Sequence, residues 1–362
     1  MKKIFFLALL FVIAYQSSNA QGCVAIRSTG AVCTKQDPSH DGKGWQLNTA
    51  YRYFKSFRHF VGTEEQKHRM EEHTEVINHQ HTLNLTLVKH INMRSSITID
   101  VPLLLNKRSS LYEHGGNSAG QAGRHNTGSS GVGDIRITGY HWLLDPMKSM
   151  TGNIQLGLGV KLPTGNENVQ DVFVKSDSLK LRGPVDQSIQ LGDGGFGVTA
   201  EVNAFYNFTH RVGVYGNFYY LINPKGENGV STGRGGKPSQ TAIDYKTATM
   251  SVPDQYMARA GVNVTFSRLT TSAGLRFECI PSSDLIGNDE GFRRPGYVFS
   301  VEPGAAYSFN KFVAFATVPV ALQRNRTQSY SDKLRTAATG QYVKGDAAFA
   351  DLSINIGASF RL

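Results

Sequence analysis

Residues 153–162 read Asn-Ile-Gln-Leu-Gly-Leu-Gly-Val-Lys-Leu, and their alternation decides the fold. Ile154, Leu156, Leu158, Val160 and Leu162 share one face of an extended strand, while Asn153, Gln155, Gly157, Gly159 and Lys161 share the other. A helix would put residues two apart on opposite sides and mix the two sets. Residues 351–362 repeat the pattern: Leu352, Ile354, Ile356, Ala358, Phe360 and Leu362 alternate with Asp351, Ser353, Asn355, Gly357, Ser359 and Arg361. Strict alternation over about ten residues marks a strand with hydrocarbon on one side and a polar lumen on the other.

Working outward, twelve such segments are predicted, at 45–55, 82–91, 96–105, 134–144, 153–162, 195–207, 212–222, 255–266, 270–280, 297–309, 312–323 and 348–362. Short connections, such as Asn92-Met93-Arg94 and Asn310-Lys311, alternate with long ones at 56–81, 106–133, 163–194, 223–254, 281–296 and 324–347. An even strand count, short turns on one rim and long loops on the other describe an outer-membrane barrel with both termini in the periplasm. A hairpin hidden in 163–194 or 223–254 would raise the count to fourteen. Most prolines gather toward the long-loop rim, where a missing N–H costs no ladder bond; Pro303 falls inside a strand and predicts a bulge or a gap in pairing. Trp142, Phe208, Phe266, Phe309, Phe312 and Phe360 lie near the short turns, and Tyr53, Tyr219, Tyr220, Tyr256 and Tyr297 near the long loops, as two interfacial girdles would.

Composition agrees. The chain has 362 residues, mean hydropathy −0.29 and 18% charged residues, which excludes a polytopic helical membrane protein; 40% hydrophobic residues exclude a disordered chain. Residues 1–20 read as a secretory signal: Met1-Lys2-Lys3, an apolar run from Ile4 to Tyr15, and small residues at Ser18 and Ala20. A rival lipoprotein box, Ala20-Gln21-Gly22-Cys23, has alanine where a larger aliphatic belongs. The net charge of +10 would suggest nucleic acid in a cytoplasmic protein, but export removes that partner and leaves anionic lipopolysaccharide, acidic solutes or plain solubility. In an oxidising compartment Cys23 and Cys33 can close a small loop, and Cys279 fills a strand face. Residues 21–44 would fold into or beneath the barrel, 45–362, as a plug; a periplasmic tail is the plainer alternative.

With apolar side chains facing lipid, Asp100, Arg136, Lys161, Glu201, Arg259, Arg276, Glu278, Glu302, Asp351 and Arg361 point inward. Charges of both signs there would pair across a narrow wet interior, and Glu201, Arg259, Arg276 and Glu302 are candidates for gating or guiding a solute. In the first long loop Thr63-Glu64-Glu65-Gln66 reads as a capping box, predicting a helix over 64–75. His59, His68, His73, His79 and His81 lie among carboxylates there, but the spacing of His68 and His73 does not put both on one helical face, so a solvated helix is favoured over a metal site. Tyr112-Glu113-His114-Gly115-Gly116-Asn117-Ser118 brings together His, Asn and Ser as in a lipid hydrolase, yet in a loop and without that enzyme's His-to-Ser spacing.

Two stretches resemble a known family. Gly131-Val132-Gly133-Asp134-Ile135 leads to Tyr140-His141-Trp142-Leu143 and then to Leu156-Gly157-Leu158-Gly159-Val160-Lys161-Leu162-Pro163-Thr164-Gly165; Asp186-Gln187-Ser188-Ile189-Gln190-Leu191-Gly192-Asp193-Gly194-Gly195 follows. The pattern resembles the outer-membrane family called "MetA-pathway of phenol degradation", distantly related to FadL-like channels. The resemblance implies apolar solutes entering from outside and an N-terminal hatch inside the barrel. The resulting expectation is an all-β transmembrane antiparallel barrel in the outer membrane of a Gram-negative envelope. It would act as a channel for small hydrophobic or aromatic compounds, not an enzyme, without cofactor or metal. Its partners would be outer-membrane lipid, lipopolysaccharide, the solute and the barrel-assembly machinery. A surface adhesin acting through its loops is the alternative, and a lipid-active enzyme the third reading.

Overall fold

A computed structural model describes residues 43–362. The leader at 1–20, nearly all of the 21–44 segment and the Cys23–Cys33 pair lie outside the described residues. Twelve antiparallel strands close on themselves. In chain order they are β1 (Gly44–Val61), β2 (Ile77–His90), β3 (Ser95–Ser110), β4 (His125–Val132 and Arg136–Trp142), β5 (Gly152–Lys161) and β6 (Gly197–Asn207). Then come β7 (Val212–Ile222), β8 (Gln255–Phe266), β9 (Leu269–Ile280), β10 (Gly296–Ser308), β11 (Phe312–Thr317 and Val320–Arg326) and β12 (Ala347–Arg361). Each pairs with the next, and β12 returns to β1 over Gln46↔Arg361 through Phe60↔Ala347, so the sheet has no free edge. Closure is what a bilayer demands, because hydrocarbon offers no partner to an unpaired backbone group.

The alternation maps onto the wall. Leu156, Leu158, Ile354 and Ile356 are 44%, 69%, 38% and 49% exposed, whereas Ser353 and Asn355 on the intervening positions are 8% and 5%. Apolar side chains therefore face outward and polar ones inward. Rings pack in rows along both rims of the outer wall: Tyr307, Phe309, Phe312 and Phe360 at the short-turn rim, and Tyr220, Tyr256, Phe277 and Tyr297 toward the long loops. Cys279 fills the gap between Tyr256 and Tyr297 on neighbouring strands.

Two strands are interrupted, and each break faces a proline. Pro303 pairs in register with β9, but its ladder to β11 lapses at the Val318–Pro319 break, where only the Pro303 carbonyl is used, by Val318 N–H at 3.0 Å. Pro102 lies inside β3, beyond the rim position its spacing suggested, and its carbonyl accepts Gly133 N–H at 2.8 Å in the gap between the two pieces of β4. Both rings turn their missing donor toward a neighbour that has none to receive.

The remaining departures from expectation lie above the wall. β1, β2 and β3 run five or six residues beyond the alternating core toward the long loops: Lys55, His79 and Lys107 break the outward apolar phase there, while Arg58 and Arg108 are held by carboxylates. The helix anticipated over 64–75 shrinks to His68–Glu71, and Thr63 caps nothing. Arg58 grips both oxygens of Glu65 at 2.6 Å, pulling Glu64–Glu65 into a hairpin with Phe60–Val61. The loops after β5 and β7 do contain hairpins, 170–174 with 180–184 and 227–231 with 249–251, but neither joins the barrel sheet. Replacing Leu158, at mid-wall, with Arg should cost about 2–4 kcal/mol of folding free energy in lipid vesicles, measured by urea titration.

Candidate functional site: a lumen closed in two layers

Four inward arginines and four inward carboxylates meet in the middle of the barrel. On one side Glu278 accepts from Arg52 at 3.1 Å, across the β12–β1 seam from it, and from Arg276 at 2.9 Å. Glu302 lies 3.8 Å from Arg276 and 3.6 Å from Arg259, close enough for charge attraction without a short hydrogen bond. On the other side Arg136 binds Asp100, which also accepts from Thr86 at 2.8 Å, and Tyr140 donates to Glu201 at 2.8 Å. Arg136 also stands over the Tyr219 ring, and Arg259 over Tyr215. Arg52, Asp100, Glu201, Arg259, Arg276 and Glu302 are buried, Glu302 at 1% and Arg276 at 2%, and Arg136 and Glu278 are partly buried. Lys161, higher up, contacts Asp193 and lies 3.8 Å from Asp134. Asp351 joins Arg58 and Arg324 at 2.8 and 2.6 Å near the outer rim, while Arg361 is exposed at the inner one.

Glycine makes room for this belt. A Cβ on Gly157 would meet the Tyr140 ring at 2.6 Å, and one on Gly274 would meet the Tyr215 hydroxyl at 2.5 Å. The inward glycines of β5 and β9 are therefore the floor on which tyrosines lie flat across the lumen.

A second layer closes the outer mouth. The loop between β5 and β6 dips inside the strands: Gln80 of β2 donates to the Ser188 carbonyl at 3.1 Å, and Asn106 of β3 and Ser129 of β4 donate to that of Ile189. Asp186, at the start of that segment, takes both Arg294 nitrogens, at 2.8 and 2.6 Å, and lies 3.5 Å from Arg108. Glu113 accepts from Arg108 at 2.9 Å and from Arg234 at 3.2 Å. Thus β3 and the loops after β3, β5, β7 and β9 are cross-linked through two carboxylates over the apolar packing of Leu111, Phe173, Val185 and Ile189. None of these cap residues lies in an alternating segment; in sequence, Asp186–Ile189 stood out only within the stretch carrying the family resemblance, and Glu113 only within the Tyr112–Ser118 motif read as a hydrolase-like cluster.

Between cap and belt lies a chamber of about 70 Å³, lined by Tyr219, Leu221, Met250 and Ile280 with Arg136, Lys161, Gln187 and Gln190 among them. Below the belt a polar vestibule of about 160 Å³, lined by Asn263, Thr265, Thr270 and Ser272, opens toward the short-turn rim. The motif containing His114 forms part of the cap: His114 Nδ1 accepts Val174 N–H at 3.0 Å, and burial pushes the imidazole down to about 4. His79 and His81 sit on the outer wall, and no group of three metal-binding side chains occurs among the described residues.

A closed twelve-stranded cylinder, apolar outside, girdled by aromatics and charged within, defines a transmembrane β-barrel of the outer-membrane type. No protein-family model matches the chain, and no curated protein matches it in sequence. Among solved structures it is similar to the COG4313 outer membrane channel from Pseudomonas putida F1, with a TM-score of 0.55 at 12% identity over 94% of this chain and 100% of that one. The translocator domain of the autotransporter NalP from Neisseria meningitidis (TM-score 0.43, 12% identity, 90% of each chain) and a Pseudomonas aeruginosa FadL homologue (0.43, 8%, 95% and 98%) are looser matches. At these identities the likeness is one of fold.

Two predictions follow the charges. Changing Glu302 to Ala leaves two buried arginines facing each other and should destabilise the barrel by about 3 kcal/mol, read by urea titration in detergent. Burial works to raise Asp186 and Glu113 of the cap and Asp346 of the loop before β12, but facing cations overcome it: Arg108 and Arg294 hold Asp186 well below the carboxylate range, and Arg108 and Arg234 hold Glu113 below it. His59 and Arg69 hold Asp346 at about 2. Burial raises Asp254 of the loop after β7 and Asp284 of the loop after β9, which meet through Asp254 N–H on Asp284 Oδ1 at 2.9 Å, so protonation of these two favours the folded loops. The stabilisation from the three lowered groups is complete above the ordinary carboxylate pKa of about 4 and fades as pH falls toward 2. Conductance across planar bilayers should therefore be alike at pH 8 and pH 5 and climb only below about pH 4.

Proposed function

We propose that this barrel is an outer-membrane channel for small hydrophobic or aromatic compounds that carry a polar or anionic group. The observation that supports this reading most is the chamber between cap and belt. Its wall mixes apolar side chains, Tyr219, Leu221, Met250 and Ile280, with polar ones, and Arg136, Lys161, Gln187 and Gln190, engaged by Asp100, Asp193, Ser251 and Val185, would exchange partners to hold one polar group of a solute. Solute would enter when the loops loosen around Asp186, rest against Tyr219, and pass the belt as Arg52, Arg276 and Arg259 exchange partners between Glu278 and Glu302. β1 begins at Gly44 on the inner rim, and the residues before it would supply a plug segment as the second gate.

Single-channel recording tests the proposal. The wild type should show brief, rare openings, altered by an aromatic acid such as benzoate. Asp186→Asn, which breaks the cap without touching the wall, should lengthen or multiply openings several-fold, and deletion of 21–43 should raise conductance further. A correctly folded wild type and Asp186→Asn variant that both pass no current and ignore the solute would overturn the channel reading in favour of a barrel working through its loops.

A further inference from the structure

We infer that the outer wall of β1–β3 carries a binding site for a phosphate group of an outer-leaflet lipid, built from Lys55, His79 and Lys107. The three are direct neighbours across the sheet: Lys55 pairs with His79 and His79 with Lys107. Adjacent strands lie about 4.8 Å apart, so the row spans about 10 Å, and two lysine stems can converge on one phosphate above the central imidazole. All three stand on the lipid-facing phase, in line with the exposed Leu103, Leu105 and Leu83.

Register fixes their height. At the inner rim the same strands carry the row Trp45, Lys89 and Ile97, with Lys89 over the Trp45 ring at 4.6 Å. Each member of the outer row is ten residues from its counterpart. Ten residues at about 3.3 Å, on strands tilted by about 40°, rise about 25 Å, the height of a barrel's apolar band. The row therefore sits at the outer hydrocarbon boundary, level with the lipid headgroups. On β7–β10 the outer girdle is Tyr220, Tyr256, Phe277 and Tyr297, without a cation.

The site is also shaped. Tyr53 hydroxyl meets His79 Nδ1 at 2.9 Å, and Tyr51 meets His81 Nδ1 at 2.7 Å. With the tyrosine donating, the proton of His79 lies on Nε2, where it serves an anion. Tyr53 and His81 pack with ring centres 4.8 Å apart, a platform just below the row. Lys55 rests over Phe57, and neither lysine has a carboxylate partner among the described residues. Asp171, on the hairpin beside β4, is engaged by Gly128 N–H at 2.8 Å. No acidic residue occupies the outward phase of β1, β2 or β3. A lysine at a membrane surface contributes about a fivefold gain in affinity for anionic lipid.

The test titrates the full-length barrel, refolded in neutral detergent, with diphosphoryl lipid A, with enzymatically dephosphorylated lipid A and with inorganic phosphate. The readout is the midpoint of heat-modifiable mobility. Diphosphoryl lipid A should raise the midpoint, and the other two should not. The double variant K55Q/K107Q should need roughly thirtyfold more lipid for the same rise, whereas K89Q at the inner row should respond as wild type. Should the double variant not fold, Lys107→Gln alone, at an exposed position, should show about a fivefold loss. An undiminished response in the lysine variants, or an equal response to dephosphorylated lipid A, would overturn the site.

Discussion

Everything in this molecule depends on the return of β12 to β1. In hydrocarbon an unpaired N–H or carbonyl costs several kcal/mol, so a sheet that crosses the membrane must have no edge. The ladder from Gln46↔Arg361 to Phe60↔Ala347 removes that edge. The constraint is visible even where it is relaxed. Pro102 and Pro303 lie inside strands only because β4 and β11 are broken opposite them.

Once the cylinder is closed, alternation sorts every side chain to oil or to water, and the inside inherits the charges. A lumen narrow enough for a belt of arginines and carboxylates to meet is then also narrow enough to be shut by it. The cap adds closure of a different kind, since it ties loops to one another and to β3 rather than strand to strand. Asp186 and Glu113 are the shared partners, so a change at either one reaches several loops at once. Cap and belt enclose a chamber whose wall mixes apolar side chains such as Tyr219, Leu221, Met250 and Ile280 with charged and amide groups, and the proposed solute is matched to that mixture.

How much of this was readable from the chain follows the physics of each part. Strand number, order and inward phase were legible because lipid imposes a period of two on residues such as Leu156 to Val160 and Leu352 to Ile356. The inward positions of Arg259, Arg276, Glu278 and Glu302 followed from the same phase, but their pairing did not, since partners such as Arg52 and Glu278 are far apart in sequence. The ends of β1 to β3 were hidden because Lys55, His79 and Lys107 interrupt the outward apolar phase, and the carboxylates that hold Arg58 and Arg108 there, Glu65, Asp351, Glu113 and Asp186, come from loops or other strands. The cap was illegible for the same reason: loops obey no period, and nothing in Asp186 announces Arg294. Thr63 shows the reverse error, a capping signal overridden by one bidentate ion pair.

The most direct test of the account is a site-directed spin-label scan of residues 352–359 in lipid vesicles, measuring collision with oxygen, which prefers hydrocarbon, against a water-soluble nickel chelate. Labels at 352, 354, 356 and 358 should collide with oxygen and be shielded from the chelate, while labels at 353, 355 and 359 should show the opposite preference. A uniform profile, or one in which the apolar positions are reached by neither reagent as in a dry protein interior, would contradict the barrel and with it the proposed channel.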